Sequence, residues 1–234
     1  MPFSRVLDHA RRLGTHGAVV FDLDSTLLDN RPRQARILRE YGDSAGLAAL
    51  AACRAEHWVD WSIRTAMRNA GLGAEEIDRH SHPARTFWRE RFFTSEYCVD
   101  DVPIRGALAF VRAVRDAGAQ VLYVTGRHEG MRRGTVACFD RHGFLLPDGA
   151  SVVLLMKPTL EESDDQYKVE VQAQIRERGT LIAAFDNEPA HANIYREGFP
   201  DAIVVRLDTD HSGRPIPLLE GIEVVPHFED HARR

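Results

Sequence analysis

Val19-Val20-Phe21-Asp22-Leu23-Asp24-Ser25-Thr26-Leu27-Leu28-Asp29 decides the reading of this chain. Its first residues are apolar and β-branched, as suits a buried strand. The run stops at two carboxylates separated by one residue. Alternate residues of an extended chain point the same way, so Asp22 and Asp24 project to one side. Two acids crowded at a strand end repel each other and lose solvation. That is costly for a structural site and useful for holding a hard cation. Taken alone, the stretch also reads as a strand followed by an acidic turn in which Ser25 and Thr26 cap a helix.

Four more apolar, β-rich runs follow the one at 18–21, at 120–124, 151–156, 181–185 and 202–207. Helical patterns fill most of the spaces. Ala107, Phe110, Val111 and Val114 recur at three- and four-residue steps, and Gly118 closes that helix. Residues 131–142 predict a second helix ending at Gly143, and 168–178 a third stopped by Gly179. Residues 189–197 predict a fourth, with Pro189 in its first turn and Gly198 at its end. Strands alternating with helices argue for an α/β fold with a parallel sheet covered on both faces. Ligands in such sheets bind at the carboxyl ends of the strands.

The first gap is too long for a simple crossover. Between Asp29 and Pro103 lie about 70 residues without a convincing strand, where a dozen or so suffice. Residues 33–41, 44–69, 74–80 and 83–93 read as helical. The expected organisation is therefore an α/β core from residues 1–29 and 103–234, interrupted by a helical insertion at 30–102. Trp58, Trp61 and Trp88 all fall in the insertion. With Phe87, Phe92 and Phe93 they read as its small core rather than as a substrate cage. The polar stretch 208–215 follows the fifth strand and reads as a loop.

With 234 residues the chain can bury a sizeable core. It is 44% hydrophobic and 28% charged, which suits a soluble globular protein. The net charge of -5, with both signs scattered, gives no electrostatic case for nucleic acid or an acidic membrane as partner. Cys53, Cys98 and Cys138 are far apart and form no metal-binding spacing, so a reducing cytoplasm is expected. The opening residues lack the apolar segment of a secretory signal, and no run is long enough to span a membrane.

Four strand ends carry polar groups. They are Asp22 and Asp24, then Thr125-Gly126-Arg127, then Lys157 with Lys168 opening the next helix, then Asp186-Asn187-Glu188. Each has an ordinary structural reading as a cap, a turn or a solvated residue. Their common placement would bring all four together. The set suits phosphoryl transfer. A carboxylate can attack phosphorus, and a second can move the proton. Mg²⁺ takes a few carboxylate and carbonyl oxygens together with phosphate oxygens. A hydroxyl, an exposed amide at Gly126 and an ammonium can hold the phosphoryl oxygens. Arg127 could add a bidentate contact or serve the leaving group.

Asp22-Leu23-Asp24-Ser25-Thr26 resembles the first motif of the haloacid dehalogenase-like (HAD) superfamily of phosphohydrolases. Val124-Thr125-Gly126-Arg127 is similar to its second motif, Lys168 to its third and Phe185-Asp186-Asn187-Glu188 to its fourth. Order and spacing agree over residues 18–207. The second motif and the Met-Lys-Pro stretch also look like the branch containing bacterial non-specific acid phosphatases. The resemblance implies a doubly wound, five-stranded Rossmann-like sheet, with the five runs in spatial order 3-2-1-4-5, under a helical cap. It implies Asp22 as nucleophile and Asp24 as general acid/base. It implies Thr125, Gly126, Arg127 and Lys168 at the phosphoryl group, and Mg²⁺ on Asp22, Asp186 and the main-chain carbonyl of Asp24. Lys168 is preferred to Lys157 because the family's lysine commonly sits at the helix before the fourth motif. The family usually places a second acid after the first in that motif. Asn187, Ala190 and His191 stand there instead, which implies either that Glu188 or Asn187 holds a metal-bound water or that the metal is bound weakly.

The expected function is Mg²⁺-dependent hydrolysis of a small phosphorylated metabolite through an aspartyl-phosphate. A phosphotransferase or mutase using the same chemistry, and a non-catalytic binding protein of the same fold, are the alternatives. A phosphatase acting on nucleic-acid ends is disfavoured by the low basic balance.

Overall fold

A computed structural model describes residues 2–229; Met1 and residues 230–234, the outermost ends of the expected core domain, lie outside the described residues. The chain opens with α1 (Pro2–Leu13), β1 (Gly17–Phe21) and the two-residue β2 (Leu28–Asp29). The long first gap holds α2 (Arg31–Ala45), α3 (Ala48–Ala51), α4 (Ile63–Asn69) and α5 (Ala74–Phe92). Then come β3 (Val102–Pro103), α6 (Ala107–Asp116), β4 (Gln120–His128), α7 (Arg132–His142) and β5 (Val152–Lys157). The rest is α8 (Asp164–Glu170), α9 (Gln172–Arg178), β6 (Thr180–Asp186), α10 (Pro189–Gly198), β7 (Ile203–Leu207) and β8 (Glu223–Val225).

The sheet runs β5-β4-β1-β6-β7-β8 and every pairing in it is parallel. This is a doubly wound α/β fold of the Rossmann-like kind, with the five expected runs in the expected order. Strand alternation splits the core into two layers. Val19 and Phe21 join Phe3, Phe110, Phe139 and Phe185 beneath α1, α6 and α7. Ala18 and Val20 face the other way, joining Tyr167, Ile175 and Tyr195 beneath α8, α9 and α10. Phe21 stacks on Phe185 with centroids 5.1 Å apart, which ties the two central strands together. The helices of the gap have a core of their own, built on Leu38, Tyr41, Leu50, Trp58, Met67 and Ile77.

Several elements differ from the sequence reading. The sheet has a sixth strand, β8, beside β7. It is three residues long and incompletely buried, too short to show a period. β2 and β3 pair antiparallel across the two ends of the gap and close it like a clasp. The stretch 44–69 is broken into α3, α4 and a loop, because Gly46 ends α2 in a left-handed conformation. Ala74–Phe92 form one helix through Pro83 rather than two. The helix at 168–178 is two, the first starting earlier, behind the Ser163 cap. α1 is amphipathic, with Phe3, Val6 and Ala10 turned inward. Among the described residues no helix is long and apolar enough to cross a membrane.

Candidate active site

β1, β4 and β6 are adjacent, so their carboxyl ends converge. Asp22 continues the ladder by one bond, its N–H donating to the Phe185 carbonyl at 2.9 Å. A tight turn follows, in which the Leu23 carbonyl accepts from the N–H groups of Thr26, Leu27 and Leu28. Ser25 sits in it at φ +57°, a left-handed conformation that costs a non-glycine residue about 1 kcal/mol. Strain of this kind persists where its surroundings fix it. Here the Ser25 N–H donates to the Leu28 carbonyl, and the Thr209 hydroxyl donates to the Ser25 carbonyl. On β4 the register shifts between Thr125 and His128, so Gly126 and Arg127 bulge out of the ladder.

Lys168 comes up from α8, fully buried. Its Nζ donates to Asp22 Oδ1 at 2.8 Å, to Asp186 Oδ2 at 2.8 Å and to the Val124 carbonyl at 2.9 Å. One ammonium thus joins the ends of three strands. The other Asp22 oxygen has no protein partner among the described residues. Burial pushes the Asp22 carboxyl up to about 7; Lys168 pulls against this, and Asp186 and Asp24 add to it. Burial also opposes ionisation of Asp186, but the charges of Lys168 and His191 outweigh it and hold that carboxyl below its ordinary range. Burial lowers His191, but the neighbouring Asp186 carboxylate raises it further. Thr125 is buried, and its Oγ1 accepts the Arg127 N–H at 3.1 Å. At Gly126 a Cβ would stand 2.9 Å from the Asp164 carboxyl, so a side chain there would crowd the rim.

Asp24 is held quite differently. Arg127 reaches it with Nε and Nη2 at 2.9 and 2.7 Å, and Arg33 Nη2 adds a third contact at 2.7 Å. Asn30 donates from 3.3 Å. Beneath lies Asp101, fully buried, 2.5 Å from Arg127 Nη2 and 3.0 Å from Arg33 Nε. Two guanidinium groups therefore alternate with two carboxylates. Burial opposes ionisation of Asp24, but Arg127 and Arg33 overcome it and hold the carboxyl well below its ordinary range. At Asp101 burial dominates the same two arginines and pushes the carboxyl up to about 6. Arg127, expected at the substrate, spends its remaining Nη1 on Thr135 at 3.2 Å. It lines the cavity, but as the clamp on Asp24. Arg33, Asn30 and Asp101 escaped the sequence reading. A signal existed for Arg33, which shares the inner stripe of α2 with Ile37 and Tyr41 and is charged where apolar residues belong. Asp101 carries none.

Lys157 does not reach the carboxylates. Its Nζ donates to Asp164 Oδ1 at 2.7 Å and to the Glu162 and Leu160 carbonyls. Asn187 and Glu188 border the cavity but are engaged. Asn187 Oδ1 accepts from the Thr26 hydroxyl and its Nδ2 donates to the Asp210 carbonyl. Glu188 accepts from Ser212 at both N and Oγ. The loop at 208–215 has no regular structure, and it brings His211 and Ser212 to the cavity.

The donor set suits Mg²⁺ in kind. Asp22 keeps an open oxygen beside Asp186, and the hard ion needs only one or two carboxylates together with carbonyl, water and phosphate oxygens. A cation there would also offset the repulsion between the two acids. Among the described residues there is no group of three or more acid, histidine or cysteine side chains that could hold a metal ion. Among the described residues the acids nearest Lys168 are Asp22 and Asp186, and the neighbouring Glu188 is engaged with Ser212.

These groups floor a cavity of about 450 Å³ that contains Asp22, Asp24, Thr125, Gly126 and Arg127. Its opposite wall is Trp61, Trp88, Phe92 and Phe93, with Met131 at the side. The aromatic group expected to be a small core does pack, Trp58 in the larger core of the insertion and Phe92 in a second one with Ile37 and Tyr97 that Trp61, Phe87, Trp88 and Phe93 flank. Trp61, Trp88, Phe92 and Phe93 also border the cavity. A depression of about 750 Å³ between α5 and residues 158–161 is larger, but contains none of the four strand-end groups.

No curated protein matches the chain in sequence. Among solved structures it is similar to a predicted phosphoglycolate phosphatase from Haemophilus somnus 129PT, at TM-score 0.53 and 13% identity over 90% of this chain and 94% of that one. CbbY from Rhodobacter sphaeroides, in complex with phosphate, is similar at TM-score 0.52 and 14% identity, over 90% and 94%. Protein Tyrosine Kinase A of Mycobacterium tuberculosis gives TM-score 0.51 and 18% identity, over 91% and 95%. At such identities the likeness is one of fold. The family assignment comes from a family model that matches residues 16–158 and is described as haloacid dehalogenase-like hydrolase. It is coarser than the acid-phosphatase branch that residues 124–127 resemble. On the strength of that match, which takes in the strands bearing Asp22, Asp24, Thr125 and Arg127, the chain belongs to the haloacid dehalogenase-like hydrolases.

Proposed function

We propose that this hydrolase is a Mg²⁺-dependent phosphatase that acts on the phosphomonoester of a small molecule through an aspartyl-phosphate on Asp22. One observation carries the reading. Lys168 grips one oxygen of Asp22 and ties it to Asp186, while the second Asp22 oxygen is left without a protein partner on the cavity floor. That is a carboxylate fixed in orientation and open to an incoming phosphorus.

In the first step Asp22 attacks phosphorus and the ester oxygen departs with its bonding pair, taking a proton from Asp24. In the second, water attacks the same phosphorus. The bond to Asp22 breaks, phosphate leaves and the proton returns to Asp24. Lys168, the Thr125 hydroxyl and the amide at Gly126 would hold the phosphoryl oxygens. Asp22, Asp186 and the Asp24 carbonyl would hold Mg²⁺, whose chemistry is to neutralise the phosphate charge that otherwise repels Asp22. The clamp of Arg127 and Arg33 holds Asp24 as a carboxylate in the resting site, so the proton it passes to the ester oxygen would be one brought in by the phosphate monoanion.

The test is turnover of acetyl phosphate and 4-nitrophenyl phosphate in Mg²⁺, with Asp22→Asn as the comparison. The variant should keep its fold and lose turnover of both. Wild-type-like turnover in Asp22→Asn would refute the covalent mechanism. Running the assay with an added alcohol separates hydrolysis from transfer, because a phosphorylated alcohol appears only in the second case.

A further inference from the structure

We infer that the leaving group this site accepts is an aromatic ring, stacked on the wall made by Trp61, Trp88, Phe92 and Phe93. The inference rests on the phosphatase reading for the word "leaving group", but the ring-binding wall stands on its own geometry. The two sides of the cavity differ in kind. The floor, at the ends of β1, β4 and β6, carries Asp22, Asp24, Thr125 and Arg127, and Asp164, Asn187, Glu188, His191, His211 and Ser212 add polar groups to the rim. The opposite side offers four aromatic side chains and, at its edge, Met131.

That wall is already built. Trp88 stacks on Phe92 with centroids 4.4 Å apart and an interplanar angle of 19°. Trp61 meets Phe92 edge-on at 5.7 Å, and Phe93 meets both Phe92 and Trp88 edge-on at 5.1 and 5.7 Å. Arg33 backs it, its guanidinium 3.9 Å from the Phe92 ring centre and its Nη1 donating to the Phe92 carbonyl at 3.1 Å. Rings locked to one another lose little freedom when another ring joins them.

The chemistry of the wall selects the occupant. A leaving-group hydroxyl laid against these four rings would exchange water for an aromatic face, which is unfavourable wherever Asn187, Glu188, His191, His211 or Ser212 does not reach it. A planar ring gains apolar burial and an offset or edge-on contact. The cavity volume lies in the range of small-molecule sites, with room for a phosphoryl group and a ring. Trp58 supplies the contrast within the same insertion. It is 1% exposed inside the helical core, whereas Trp61 and Trp88 keep exposed surface and border the cavity.

The experiment compares binding of benzylphosphonate and methylphosphonate to the full chain in Mg²⁺, by calorimetry and by quenching of tryptophan fluorescence. Neither probe can be turned over, so the result does not depend on catalysis. The expected result is benzylphosphonate binding at least about tenfold tighter, with the preference falling below about threefold in Trp61→Leu. Equal affinities in the wild type overturn the inference. So does a preference that survives intact in both Trp61→Leu and Phe93→Leu. Circular dichroism checks that each variant is folded, and if one is not, the wild-type comparison decides. Failure of the phosphatase reading shows separately, as absent acetyl phosphate hydrolysis alongside an intact benzylphosphonate preference.

Discussion

Arg33 and Asp24, one on the first helix of the insertion and the other at the end of β1, meet at 2.7 Å. The contact makes the inserted helices part of the Asp24 end of the site. The same arginine lies against Phe92, so Asp24 and the aromatic wall share one support.

Removing Arg33 should be expensive. Arg33→Met leaves Arg127 alone to balance Asp24 and the fully buried Asp101. Breaking a buried ion pair from one side costs about 3–5 kcal/mol, and urea unfolding of the variant should show a loss of that order. Adding Asp101→Asn removes the stranded charge and should restore at least about 1 kcal/mol of it, because the two sites are coupled. A loss under about 1 kcal/mol in Arg33→Met would show that the clamp does not hold the insertion to the core.

The two lysines should separate cleanly. Lys168→Met leaves Asp22 and Asp186 facing each other without their shared cation and removes the proposed phosphoryl ligand. Loss of one such preorganised donor lowers kcat by about 10²- to 10³-fold. Lys157→Met breaks contacts with Asp164 and two carbonyls outside the carboxylate cluster. It should cost about 1–3 kcal/mol of stability, as expected for unpaired buried partners, with kcat falling less than Lys168→Met makes it fall. Steady-state kinetics with acetyl phosphate decide this, and equal losses in the two variants would remove Lys168 from its proposed role.

Asp148 gives a pH dependence away from the site. Its carboxylate accepts the N–H groups of Val152, Ala150 and Ser151 and the Ser151 hydroxyl, all at 2.8–2.9 Å, at the start of β5. The Val152 N–H and Ser151 hydroxyl do most to hold it below its ordinary range. A folded-state value below the unfolded one stabilises fully above the unfolded value near 3.8 and is lost as pH falls through the folded one. Thermal melts of the wild type and Asp148→Ala should therefore differ by a constant amount above about pH 5 and converge in more acid solution. A gap that stays constant down to pH 2 would contradict this.

Much of the site was legible because it is local. A strand end announces itself by an apolar run that stops, and Asp22, Thr125 and Asp186 each stand at such a stop. Lys168 carries no such local signal, and it is preferred to Lys157 only because the family's lysine commonly sits at the helix before the fourth motif. β8 and the β2–β3 clasp were illegible because two or three residues cannot show a period. The broken helices at 44–69 and 164–178 kept helical composition while single positions such as Gly46 set their ends.

By itself the sequence determined the parallel α/β core, the order of its strands through the family motifs, and which polar residues stand at the strand ends. Those properties follow from side-chain period and from short segments whose neighbours are fixed by the chain. Tertiary structure alone decided what those residues touch. It paired Arg127 with Asp24, brought Arg33 and Asp101 beneath it, engaged Asn187 and Glu188 with other partners, and set one edge of the insertion's aromatic packing against the cavity. The physical reason is that charge pairing and ring stacking depend on distances between segments far apart in sequence, and no local pattern encodes those distances.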